Sequence, residues 1–263
     1  MRSILMALFV LVLTIPLQAI LDDGLVAHYT FDGNTNDSSI YSNDATIYGN
    51  VQLTEGRFGQ AYLFDGVDGS IEAPHSSSLD ITGPITVSCW VKAQDTYWRS
   101  GLVIKAPDYS PVIGYNLRII DNVGKLTLSY TSGSSHAGET VQSDTEITDN
   151  NWHLVTASYD GDVMRMYIDG ELESSVAYTA GYESNTADLQ IGHYYYPYSD
   201  LWGPDHEGRN NVTLNGAIDD VGIWNRALTD SEILYIYNNP IPEPATLSLL
   251  AIGGAAMLRK RKA

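Results

Sequence analysis

Cysteine is almost missing from this chain: its 263 residues include one, Cys89, so no disulfide can form within it. A lone cysteine in an exported protein can mark intermolecular pairing. Cys89 instead lies in the alternating segment Ile85-Thr86-Val87-Ser88-Cys89-Trp90-Val91 and shares a face with Ile85, Val87 and Val91, where a free thiol serves as a small buried hydrophobe. Basic residues are also scarce, 14 against 32 acids, for a net charge of −18. Five of the 14 (Arg2, Arg259, Lys260, Arg261 and Lys262) sit at the two ends, so the body is more acidic still. That field repels a phosphate backbone and excludes nucleic acid as a partner, while it favours solubility and attracts cations such as Ca²⁺. No His-Glu-x-x-His occurs, and His28, His75, His136, His153, His193 and His206 are scattered, which removes the zinc-hydrolase pattern. Helical periodicity is nearly absent, and no apolar run reaches the roughly 20 residues that a spanning helix needs.

What the two ends do contain is addressing information. Met1 and Arg2 precede the apolar run Ile4 to Ile15 and then Pro16-Leu17-Gln18-Ala19, the charge, core and small-residue order of a secretory signal peptide over residues 1–19. At the other end, Pro242-Glu243-Pro244 leads into an apolar run over 245–258 and then Arg259-Lys260-Arg261-Lys262. A short hydrophobic helix ending in basic residues stalls in a membrane with the basic end on the cytoplasmic side. The alternative is a plain transmembrane tail anchor. Tripeptide, apolar run and basic cluster, in that order over 240–263, resemble the PEP-CTERM sorting signal. The resemblance implies recognition by an exosortase, a membrane cysteine transpeptidase, with transient membrane insertion of the C-terminal segment. It further implies cleavage near Pro242 to Pro244 and delivery to the cell surface or extracellular matrix of a Gram-negative bacterium.

Between the ends, residues 20–239 are expected to form one all-β domain. Period-two alternation is broken at short spacing by Asp-Gly and Asn-Gly turns, the pattern of an antiparallel sandwich. The clearest case predicts three strands from His153 to Ala177, turning at Asp160-Gly161-Asp162 and at Asp169-Gly170, with Met164, Met166 and Ile168 on one face and Arg165 and Tyr167 on the other. One short helix is expected near the end. Thr229-Asp230-Ser231-Glu232 has the form of a capping box, Leu228 is placed to staple against Ile233, and the helix is expected to close one end of the sandwich.

Five separated segments together resemble the laminin-G-like jelly roll of the concanavalin A-like lectin and glucanase superfamily. They are Leu25 to Asn34, Ala61 to Gly66, Trp152 to Gly161, Tyr167 to Gly170, and Asn215 to Val221 with Trp224 to Leu228 after it. The resemblance implies two antiparallel sheets, one of them concave, with the first strand beside the last. Ile218, Val221 and Ile223 place the inward parity on different sides of Asp219 and Asp220, which predicts a β-bulge there and an inward carboxylate in need of hydrogen bonds or a cation. Related jelly rolls hold one Ca²⁺ between these strands, which here implies Asp32 and Asp219 as side-chain ligands, with Asn34, Asp37 and Asp220 as further candidates. The competing expectation is that Asp219 accepts backbone amides with no ion.

For ligand binding, the aromatic segment 194–206 stands out, with Tyr194, Tyr196, Tyr198, Trp202, Asp205 and His206 as candidate sugar contacts and Tyr97-Trp98 as a second group. Exposed aromatics on loops carry recognition, although alternate side chains of Tyr194-Tyr195-Tyr196 cannot all face one ligand. Glycosidases of the superfamily carry Glu-x-Asp-x-Glu on one strand of the concave face, and that pattern is absent; Asp169-Gly170-Glu171-Leu172-Glu173 comes nearest and begins in a hairpin tip. The chain is therefore expected not to be an enzyme but a carbohydrate-binding module with a structural calcium ion. The first alternative is a structural or adhesive matrix protein that contacts other proteins, and the second, ranked after it, is a glycoside-active enzyme.

Overall fold

Where apolar and polar side chains alternate, the chain extends into strands, and where Asp-Gly or Asn interrupts the alternation it turns. The computed structural model describes residues 21–94, 99–106, 114–120, 125–131, 139–179, 181–195 and 211–242. In chain order the strands are β1 (Leu25–Tyr29), β2 (Thr46–Tyr48), β3 (Val51–Glu55), β4 (Gln60–Asp65), β5 (Ser70–Ala73), β6 (Ile85–Ala93), β7 (Arg99–Lys105), β8 (Gly114–Ile120) and β9 (Lys125–Thr131). There follow β10 (Glu139–Gln142), β11 (His153–Tyr159), β12 (Val163–Ile168), β13 (Glu171–Ala177), β14 (Leu189–Ile191), β15 (His193–Tyr195), β16 (Asn211–Thr213) and β17 (Asn215–Trp224), then a helix, α1 (Asp230–Asn238). The three strands expected between His153 and Ala177 are β11, β12 and β13, with the turns where Asp160-Gly161 and Asp169-Gly170 place them.

Two antiparallel sheets stack as a jelly-roll sandwich. The eight-stranded sheet runs β13-β12-β11-β6-β17-β4-β3, and β1 joins it along the second half of β17. The seven-stranded sheet runs β10-β9-β8-β7-β14-β5-β2, and β15 with β16 forms a separate two-stranded ribbon. Side chains from both inner faces fill the core, with Val87, Cys89, Val91, Met164, Met166 and Ile223 from one sheet and Ile71, Leu102, Leu117 and Ile191 from the other. Cys89 is fully buried as its alternation predicted, and burial pushes its thiol pKa up, away from thiolate chemistry. Packing is close enough to need glycine: a Cβ on Gly192, at φ +76°, would lie 2.2 Å from the Phe64 ring.

The helix begins as its sequence dictates. Thr229 caps the Glu232 amide, and the Glu232 carboxylate accepts from the Thr229 N–H at 2.7 Å. Its location differs from the expectation. Rather than closing an end of the sandwich, α1 lies on the outer face of the eight-stranded sheet, where Ile233 and Ile236 join Leu21, Leu25, Trp90, Leu154, Tyr167, Trp224, Leu228 and Ile241 in a second apolar cluster. The physical reason is that β6, β11, β12 and β17 each carry a large apolar side chain on that outer face, and covering each is worth about 1.5–3 kcal/mol. Tyr167, assigned from parity to the face opposite Met166, thus points away from the core yet is buried, with its hydroxyl on Asp230 at 2.8 Å. Among the described residues no helix is long and apolar enough to cross a membrane; residues 1–20, the run 245–258 and the basic tail lie outside them.

Candidate functional site

β17 serves two neighbours. Its first half, Asn215 to Ile218, pairs with β4, and its second half, Val221 to Trp224, pairs with β1. Against β6 the register slips between Asp219 and Gly222, so the predicted bulge is present, with Asp220 in the left-handed region at φ +47°. The bulge re-aims the two carboxylates, but not into the core as expected. Asp219 pairs across from Trp90, on the outer face, and is buried there beneath the β3–β4 turn. Its Oδ2 accepts from the Phe58 amide at 2.9 Å, and the turn fits over it because position 56 is glycine, where a Cβ would lie 2.7 Å from that oxygen. Its Oδ1 has no hydrogen-bond partner. Burial, with the neighbouring Asp220 charge adding to it, pushes the Asp219 carboxyl up to about 7.

The other candidate ligands are arranged differently. Asp220 places Oδ1 2.7 Å from Nε2 of the buried His28 and accepts the Ile241 amide on Oδ2 at 3.0 Å. Asp37 is fully engaged in its own loop, accepting from the amides of His28, Ser39 and Asn43 and from the Ser39 hydroxyl. Asn34 caps the amide of Asn36. Asp32 is exposed and accepts the Gln60 amide at 2.7 Å, so it holds the same β3–β4 turn that covers Asp219. The structure therefore brings Asp32 and Asp219 to two sides of one turn, leaves Asn34 and Asp37 engaged in the loop after β1, and holds Asp220 against His28 and the Ile241 amide. Among the described residues no three acidic, His or Cys side chains form a metal-binding group.

The nearest approach to a catalytic acid motif is occupied by structure. Asp169, at φ +53° in its turn, accepts the Leu154 amide and holds His153 Nδ1 at 2.8 Å, while Glu173 accepts the amides of Asp144 and Thr145. His153 also meets Asp149 at 3.1 Å, and hydrogen bonding to Asp169 raises its pKa above the ordinary imidazole value.

Of the aromatic candidates, Tyr97, Trp98, Tyr196, Tyr198, Trp202, Asp205 and His206 lie outside the described residues, as do Glu243, Pro244, Arg259, Lys260, Arg261 and Lys262. Tyr194 is described, and it is buried rather than presented as a platform. It belongs to β15, packs with Ile104 and Ala106, and has the Arg118 guanidinium 5.7 Å above its ring. The reason is the close seat of the ribbon on β7: a Cβ on Gly101 would stand 2.1 Å from the His193 carbonyl. The β15–β16 ribbon therefore lies on the outer face of the seven-stranded sheet.

That face carries a row of side chains the sequence reading missed. Thr46, Glu72, Gln190, Ile104 and Asn116 are successive cross-strand partners and so share one side of the sheet. Ile104 packs against Tyr194 and not with the core, which makes this the outer side. Asn116 is 0% exposed, yet neither its amide oxygen nor its amide nitrogen has a hydrogen-bond partner. A buried orphan amide is costly and marks a place where a polar group belongs. The available signal was Asn116 itself, an amide in the middle of the strand Gly114 to Ile120.

A family profile described as the concanavalin A-like lectin/glucanases superfamily, of laminin-G type, matches residues 65–234, and a PEP-CTERM protein-sorting motif matches residues 240–262. No curated protein matches the sequence. Among solved structures, domain 4 of AbnA, a GH43 extracellular arabinanase from Geobacillus stearothermophilus in complex with arabinotriose, superposes with a TM-score of 0.63 at 19% identity, over 81% of this chain and 98% of that one. A structure of botulinum neurotoxin type C, whose cell entry depends on interaction with two ganglioside molecules, gives 0.65 at 16% identity over 84% of this chain and 52% of that one. The binding domain of Paraclostridial Mosquitocidal Protein 1 gives 0.62 at 18%, over 83% and 52%. The chain thus spans about half the length of the two toxin chains, and at these identities the likeness is one of fold.

Proposed function

We propose, from the premise that the chain belongs to the concanavalin A-like lectin/glucanase superfamily, that it is an exported, non-catalytic carbohydrate-binding module displayed at the cell surface or in the extracellular matrix. The PEP-CTERM motif supports export and exosortase processing in a Gram-negative envelope. Fold alone does not choose a ligand, because lectins and glucanases share it. The observation that carries the reading is Asn116, a buried amide with both polar ends unpartnered on the outer face that also carries the β15–β16 ribbon. An amide fork that can donate and accept side by side suits a pair of sugar hydroxyls, and the sequence adds Tyr196, Tyr198 and Trp202, residues of the type that stack on a sugar ring.

Arabinotriose, present in the AbnA domain complex, is a suitable first probe, followed by the producing cell's own exopolysaccharide. Titration calorimetry is expected to show binding that weakens at least about tenfold, the equivalent of 1.4 kcal/mol, in Asn116→Ala and in Trp202→Ala. Binding unchanged in both variants would move the site elsewhere, and no binding to any glycan would remove the reading. Incubation with the same polysaccharides is expected to release no reducing ends.

A structural calcium ion belongs to the same proposal. The buried, unpartnered Oδ1 of Asp219 is an oxygen that a hard cation would satisfy, and Asp32 and the carbonyls of the turn between them are oxygen donors of the right class. Bound calcium would neutralise the Asp219 carboxylate and tie the β3–β4 turn to the bulge. Millimolar Ca²⁺ is expected to raise the melting temperature over that in chelator, with no rise in Asp219→Asn. Equal melting of the wild type in both buffers would leave Asp219 as an amide acceptor alone.

A further inference from the structure

The loops after β1 and β5 enclose a second, separate opening. It is a solvent-connected cleft of about 650 Å³, and none of its lining residues belongs to β7, β8 or the β15–β16 ribbon. Its floor is Asn43, whose Oδ1 accepts from the Ser76 hydroxyl at 2.6 Å and the Ser78 hydroxyl at 3.1 Å, and whose Nδ2 donates to the Val26 carbonyl at 3.0 Å. The two serine oxygens lie 2.9 Å apart. One wall is Asp80, pinned by the Asn185 amide on Oδ1 at 3.0 Å and by the Ser184 hydroxyl on Oδ2 at 2.5 Å. At the mouth stands Tyr41, 46% exposed, with its amide fixed on the Ser39 hydroxyl.

These bonds set the chemistry that the cleft offers. Ser76 and Ser78 both donate to Asn43 Oδ1, which leaves their oxygens with lone pairs to offer a ligand. The Asp80 carboxylate adds more acceptors and a negative charge. The surface is therefore polar and carries one negative charge, with Ser77, Thr82 and Asn225 adding groups that can donate as well as accept; it is braced by its own hydrogen bonds and has one flat aromatic ring at its edge. Its volume lies within the range of small-molecule sites. Sugar hydroxyls, which donate and accept, match this lining, and an ammonium matches Asp80. A uronate or sulfated sugar would meet Asp80 and the net charge of −18 with like charge.

We propose that this cleft is a second saccharide subsite, selective for neutral or amino sugars over anionic ones, with Tyr41 as the stacking face and Ser76, Ser78 and Asp80 as hydroxyl acceptors. It rests on the carbohydrate-binding reading but names different residues, so the two can fail separately. The test titrates the whole chain with arabinotriose, a glucosamine trimer and a galacturonate trimer. The cleft is probed by Tyr41→Ala and by Ser77→Trp, which fills it from an exposed position, and the first site by Asn116→Ala. The expected result is two sites per chain for a neutral or amino trimer, one of them lost in Tyr41→Ala and in Ser77→Trp with the melting temperature unchanged. The galacturonate trimer is expected not to compete at that site. Stoichiometry and affinity unchanged in both cleft variants, while Asn116→Ala abolishes binding, would overturn the subsite and leave the first reading standing. Binding lost in the cleft variants and intact in Asn116→Ala would uphold the subsite and overturn the first location. No binding of any trimer by the wild type would overturn both.

Discussion

The two sheets finish their outer faces in different ways. Behind the eight-stranded sheet, Trp90, Leu154, Tyr167 and Trp224 are roofed by Leu228, Ile233 and Ile236, and the Arg57 guanidinium lies 4.7 Å above the Trp90 ring. Several polar groups in this region are paired: the Thr86 hydroxyl bridges the Arg226 carbonyl and the Leu228 amide, and Ser88 meets Thr156 at 2.7 Å, whereas Trp90 Nε1, Ser158 Oγ and Asp219 Oδ1 are buried without a partner. Behind the seven-stranded sheet the row Thr46, Glu72, Gln190, Ile104 and Asn116 is largely polar, and Asn116 has no partner at all. The first face is finished for stability. Single unpartnered atoms occur on both faces, but on the second a whole side-chain amide, oxygen and nitrogen together, is left unpaired in a polar row with no helix laid over it.

The comparison breaks most visibly if the sealed face is opened. Trp224→Ala removes a fully buried ring and leaves the indole-bonded Leu21 carbonyl without its donor, so chemical denaturation is expected to show a loss of about 3–5 kcal/mol. A loss below about 1 kcal/mol would mean that the roof contributes little. Among the buried polar atoms without a partner on that face, Asp219 Oδ1 belongs to a group that titrates. Its folded-state pKa of about 7 lies above that of an unfolded aspartate, so between about pH 4 and 7 the folded form holds a proton that the unfolded form releases, and stability falls as pH rises through that window. In chelator, Asp219→Asn is expected to flatten this slope. The variant should match the wild type near pH 4 and exceed it above pH 8 by on the order of 3 kcal/mol. Parallel pH profiles would sink the assignment. The smallest expected effect sharpens the comparison from the other side: Asn116→Ala should change stability by less than about 1 kcal/mol, because no intramolecular bond is lost, even though it weakens glycan binding. A large loss of stability there would show Asn116 to be an ordinary core residue.

Local chemistry was legible in the sequence. The β11 to β13 turns, the Thr229–Glu232 capping box, the buried face of Cys89 and the bulge at Asp219-Asp220 each depend on residues a few positions apart, so spacing alone reports them. Covering partners were not legible. Asp219 was read as inward because parity gives a face but not what lies above it, and the cover here is a turn 161 residues away in sequence. Tyr194 was read as part of an exposed platform because nothing local shows that Gly101 admits its strand onto β7. Asp37 was counted among possible cation ligands, although its spacing to Ser39 is the short-range signature of a side chain that turns back on its own loop. The cleft at Asn43 unites residues 33 and 35 positions apart and has no local signature at all.

Both ends of the described body are fastened to the same strand. The Trp224 indole donates to the Leu21 carbonyl at 2.8 Å, the Ile241 amide donates to Asp220 at 3.0 Å, and Leu21 and Ile241 are both buried in the helix-covered cluster. The sorting motif begins at residue 240, so no slack separates the folded body from it. A molecule held at Pro242 is held close and by its sealed side, and the sandwich then turns the Asn116 face away from whatever holds it. If the proposed display keeps the chain attached at this motif, the module would present one face in a set orientation and would not sweep a volume as one on a long linker does.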